Sequence, residues 1–135
     1  MPEIIDFETE TGRRFCFTVP IHPESKWGMN AVYSQSMHWA QRKKQAQGVH
    51  VLVKACIRKA DRNARKFAKP VSVRITYDSR LDIDNHGYLA KLIIDGMKGV
   101  LVDDDTRRYI QELVQGFHEG APDEIRVEVR EIEKH

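Results

Sequence analysis

Val71-Ser72-Val73-Arg74-Ile75-Thr76-Tyr77 alternates apolar and polar side chains, the two-residue period of a half-buried strand. Residues 85–98 then change period. Leu89, Ala90, Leu92, Ile93, Ile94 and Met97 occupy most of a helical circle, and Gly99 closes it. A strand feeding a mostly buried helix is the unit of a helix-on-sheet layer. Working outward, residues 107–117 and 124–132 read as two further strands, joined by Glu119-Gly120-Ala121-Pro122-Asp123. Residues 4–8 and 13–20 read as a hairpin about Thr11-Gly12. Residues 21–36, interrupted by Pro23 and several Gly, Ser and Asn residues, read as a long loop.

A long helix is expected over residues 36–65. Its second half places Val49, Leu52, Val53, Cys56, Ile57, Ala60 and Ala64 on one arc, and Lys54, Arg58, Arg62, Arg65 and Lys66 on the other. Pro70 stops any continuation. The order β-β-α-β-α-β-β gives an α+β (mixed α/β) fold, a four-to-five-stranded sheet with two helices packed on it.

Length and composition agree. At 135 residues, with 41% hydrophobic residues, the chain suits one domain over 1–135 and is not a disordered one. No stretch approaches the roughly 20 apolar residues of a membrane span. The acidic start lacks a signal segment, so a cytoplasmic protein without a membrane partner is expected. Cys16 and Cys56 belong to no Cys-x-x-Cys unit, which argues against a disulfide scaffold or a cysteine zinc site.

Charge is unevenly distributed. Residues 42–69 carry ten basic side chains against Asp61 alone, whereas residues 78–105 carry seven aspartates against three cations. A basic segment beside an acidic one points to polyanion binding next to cation binding, or to a solvated helix face and a polar loop.

Asp82-Ile83-Asp84-Asn85 directly follows the 71–77 strand. Alternate carboxylates on an extended segment point the same way, about 7 Å apart, which suits a shared hard cation. On the following helix Tyr88, Lys91, Asp95 and Lys98 lie within about 40° of Asp84, one polar stripe on an apolar helix. Asp103-Asp104-Asp105 comes next, at the expected start of a strand. Three adjacent carboxylates need a counter-charge, a metal or a lysine. In a compact sheet Asp82, Asp84, Lys91 and a later aspartate would surround one point. Competing readings are a helix cap plus a surface turn, and an i,i+4 Lys91–Asp95 ion pair. A calcium loop fits poorly, because its twelfth position would be Ile93.

The run from Leu81-Asp82-Ile83-Asp84-Asn85 through Lys91, Asp95-Gly96-Met97 and Val102-Asp103-Asp104-Asp105 resembles the RusA family. These are crossover-junction endodeoxyribonucleases, or Holliday junction resolvases, many of them encoded by phages and prophages. The motif covers about a quarter of the chain. The resemblance implies that Asp82, Asp84 and Asp105 bind Mg²⁺ (Mn²⁺ as a substitute) and that Lys91 is catalytic. Asp104 stands in reserve as a metal ligand. Lys91 lies seven residues after Asp84 where four is usual, a spacing that returns to the same helix face one turn on. Ten residues separate Asp95 from Asp105, the spacing that favours Asp105.

The implied activity is Mg²⁺-dependent hydrolysis of phosphodiester bonds in four-way DNA during recombination and repair. Arg42, Lys43, Lys44, Lys54, Arg58, Arg62, Arg65 and Lys66 would hold the backbone without reading sequence. Trp27, Tyr33 and Trp39 would either stack on bases or pack internally. Two-fold junction symmetry favours a homodimer acting on branched DNA in the cytoplasm, at the nucleoid of a bacterial or phage-infected host. Two alternatives are a nuclease for forks, flaps or single strands, and a non-catalytic DNA-binding protein whose acidic cluster is structural.

Overall fold

A computed structural model describes residues 6–9, 12–20, 39–78, 83–118 and 124–132, with side chains over 12–20, 43–77, 89–117 and 124–132. The elements are β1 (Asp6–Thr9), β2 (Gly12–Val19), α1 (Trp39–Ala60), β3 (Val71–Asp78), α2 (Ile83–Met97), β4 (Ile110–His118) and β5 (Ile125–Glu131). This is the expected order, and the fold is α+β. The sheet runs β1-β2-β5-β3-β4. β3 and β4 are parallel neighbours, whereas β1–β2, β2–β5 and β3–β5 are antiparallel. Parallel neighbours need a long crossover, and α2 supplies it.

Alternation decides which face is core. Phe15, Phe17, Val19, Val73, Ile75, Tyr77, Val127 and Val129 are buried. Of the residues between them on the strands, Thr18, Arg74 and Arg126 are exposed and Cys16, Thr76 and Glu128 half-buried. Val49, Val53 and Ile57 of α1 and Leu89, Ile93 and Met97 of α2 complete the same core. The helices pack tightly at Gly96, where an added Cβ would stand 2.7 Å from Val53 Cβ. Arg13 is buried among the apolar residues of β2. Its guanidinium lies 4.3 Å from the Phe67 ring centre and donates to the Arg65 carbonyl at 2.8 Å.

Several boundaries differ from expectation. α1 ends at Ala60 rather than at 65, because the Asp61 carboxylate accepts the Asn63 N–H at 2.9 Å. Such a local side-chain turn competes with the next helical bond. Arg62, Arg65 and Lys66 therefore follow the helix instead of lying on its outer arc. β4 starts at Ile110 rather than 107, because the N–H groups of Tyr109 and Ile110 both bond to the Thr106 carbonyl in a turn. Ser72, expected on the polar face, is buried and donates to Glu112 at 2.7 Å. The expected 21–36 loop, with Trp27 and Tyr33, and the 119–123 turn lie outside the described residues.

Candidate active site

α2 ends where the sequence places Gly99. Its φ of 84° is the left-handed conformation that terminates a helix and that glycine adopts without strain. The chain then doubles back, with the Gly99 N–H bonded to the Val102 carbonyl at 2.7 Å. That reversal returns Asp103-Asp104-Asp105 to the end of α2. The Lys98 ammonium lies 3.1 Å from Asp95 Oδ1, 3.2 Å from Asp105 Oδ2 and 3.8 Å from Asp104 Oδ1. The hydrogen bond to Asp95 holds the Lys98 pKa above its ordinary value, and the Lys98 hydrogen bond holds the Asp105 carboxyl below its own.

Asp103 turns the other way, to Lys66 Nζ at 2.6 Å. The Phe67 N–H bonded to the Leu101 carbonyl at 2.8 Å keeps the Lys66 segment beside it. Extended alternation would have put Asp103 and Asp105 on one side. The segment bends instead, so Asp104 and Asp105 share a side and Asp103 opposes them.

An open groove of about 470 Å³ separates α2 from β4. Lys91, Ile94, Asp105, Gln111, Leu113 and Gln115 line it, so two of the residues singled out from the sequence share one cleft. The Tyr77 hydroxyl donates to Gln115 Oε1 at 2.8 Å and fixes that wall. Lys91 is 68% exposed and reaches Asp95 only at 3.9 Å, leaving its amine available to the cleft. Asp82 lies outside the described residues. Asp84 is in the first turn of α2, and its side chain is outside them too. Asp84 stands about 16 Å along the helix axis from Asp95. The fold thus joins Lys91 with Asp105, and Asp95 with Asp104 and Asp105, while Asp84 sits three turns away.

Carboxylate oxygens are the hard donors Mg²⁺ takes. Asp104 and Asp105 offer two of them side by side, although among the described residues no group of three potential ligands is placed to hold one metal ion. The lysine foreseen as a counter-charge is present in Lys98. One neighbour, His50, went unnoticed in the sequence, and another, Lys54, was expected on the DNA face instead. His50 Nε2 points at Asp95 Oδ2 from 3.9 Å, and burial lowers its pKa despite that charge. Lys54 donates to the Gly96 and Lys98 carbonyls at 2.7 and 3.1 Å, capping the end of α2. Its i,i+4 spacing from His50 is the signal that joins the two.

The expected DNA face is partly redeployed. Lys54 is half-buried on those carbonyls, Arg58 donates to the Ala64 carbonyl at 2.9 Å, and Lys66 is paired with Asp103. Lys43 and Lys44 are exposed on α1, as are Arg62 and Arg65 after it, while the Arg42 side chain lies outside the described residues.

The family model for endodeoxyribonuclease RusA matches residues 24–130, which include every residue of the acidic motif. The chain belongs to the RusA endodeoxyribonuclease family. Membership makes it, by family, a nuclease and a hydrolase of DNA. No curated protein matches the chain. Among the described residues of this RusA-family chain, no helix is long and apolar enough to cross a membrane.

Proposed function

We propose that this RusA-family protein is a Mg²⁺-dependent, crossover-junction endodeoxyribonuclease that cuts paired strands of four-way DNA in recombination and repair. The observation that carries the reading is the family match spanning the whole acidic motif, with Lys91 and Asp105 in one cleft. Asp82, Asp84 and Asp105, with Asp104 beside it, would hold the cation; Mn²⁺ is an acceptable substitute. A cation held there would supply Lewis-acid chemistry, polarising the phosphate and making a bound water more acidic. Lys91 offsets charge developing on the phosphate oxygens. Lys98 fixes Asp105 in position against repulsion from Asp104.

A junction with two-fold symmetry must be cut twice, so the reading includes a C2 homodimer. A second reading, a DNA-binding protein with a structural acidic cluster, is favoured by one observation. Lys66 and Lys98 already pair with Asp103, Asp104 and Asp105 without a metal ion. The variant Asp82→Asn separates the two. It should abolish cleavage while binding a junction in EDTA at least as tightly as wild type, because a carboxylate that repels phosphate is removed. Cleavage at the wild-type rate contradicts the metal-ligand assignment.

A further inference from the structure

Between the buried positions of β2, β5 and β3, the other sheet face carries charge in register. Cys16, Glu128 and Arg74 form one row across the three strands, and Thr18, Arg126 and Thr76 form the next. A groove of about 880 Å³ gathers Arg14, Arg74 and Arg126 from these strands and Lys59 from the end of α1, with Cys16 and Cys56 in its wall. Of these cations only Lys59 lies in the basic segment read from the sequence. Two carboxylates also line the groove: Glu128, 2.9 Å from Arg14, and Glu124, 3.8 Å from Arg126. No carboxylate among the described residues pairs with Lys59 or Arg74. The groove therefore carries a net positive charge on exposed side chains.

We propose that this groove binds the sugar–phosphate backbone of one arm of the DNA substrate, apart from the acidic cleft. The proposal rests on the endodeoxyribonuclease reading for its ligand. β2 and β3 are two strand spacings apart, about 10 Å, and Arg14 and Arg74 are offset by two residues along them, so the two cations are placed for separate phosphates rather than one small anion. The two existing ion pairs are partly exposed and exchange readily for a phosphate. Binding here reads no bases, as junction recognition by shape demands.

The chain has two cysteines, and both line this groove, so the wild-type protein carries its own reporters. In EDTA, a bound four-way junction should slow maleimide modification of Cys16 and Cys56. The double variant Lys59→Gln/Arg74→Gln changes exposed side chains and should keep the wild-type unfolding midpoint. Its junction affinity should fall roughly tenfold, and the slope of log affinity against log salt should shrink by about two. Thiols that react equally fast with DNA bound, or an unchanged slope, overturn the groove. A wild-type protein that neither binds nor cuts a junction would instead sink the nuclease reading, so the two failures are distinguishable.

Discussion

One ammonium, that of Lys98, meets Asp95, Asp104 and Asp105. Asp103, one residue earlier, is bound to Lys66 and faces away. Substituting asparagine at the three adjacent positions should therefore give unequal results. Asp105→Asn should slow single-turnover junction cleavage by about two orders of magnitude, the scale for removing one preorganised electrostatic group. Asp103→Asn should cut at close to the wild-type rate, and the reverse ranking would place the bend wrongly. The need for a counter-charge was legible in three consecutive aspartates. The side each one faces was not, because alternation holds only for extended backbone and the turn at Thr106 delays β4. His50 gives a pH test. Its half-buried imidazole has a lowered pKa, so between that value and the ordinary 6.5 the unfolded chain binds more protons. Stability is full above about pH 6.5 and declines as pH falls below it. His50→Gln should flatten that decline in urea midpoints measured across the window; an unaltered profile contradicts the assignment.

The two helices meet where Gly96 opposes Val53. Alanine at a helix interior ordinarily gains up to about 1 kcal/mol over glycine. Here its Cβ would stand 2.7 Å from Val53 Cβ, an atom that rotamer change cannot move. Gly96→Ala should thus destabilise the protein, by about 1–3 kcal/mol, read as a lowered denaturation midpoint. A raised midpoint would mean the helices stand further apart. Hydrophobic periodicity made both helices and the strand pattern legible, since Val49, Val53, Ile57, Leu89, Ile93 and Met97 are core in the positions the arcs place them. What it missed were local hydrogen bonds. The Asp61–Asn63 turn ends α1 five residues early, and Lys54 leaves the polar arc to cap α2. Neither alters the hydrophobic period, so neither leaves a trace in it.

At the scale of the molecule, β3, α2 and β4 form a crossover unit that carries the acidic motif from Asp82 to Asp105 on one continuous stretch. That continuity is why the motif was readable as a motif. The basic groove was not readable, because Arg14, Lys59, Arg74 and Arg126 come from four elements that only strand register and the packing of α1 bring together. The central claim is structure-selective DNA hydrolysis. Its most direct test is cleavage of a synthetic four-way junction with Mg²⁺, compared with a fork and a linear duplex of the same sequence. The account predicts paired cuts in opposing strands of the junction, slower cleavage of the fork, little of the duplex, and none of any substrate in EDTA. A protein that cuts none of the three with Mg²⁺, or cuts the duplex as fast as the junction, contradicts it.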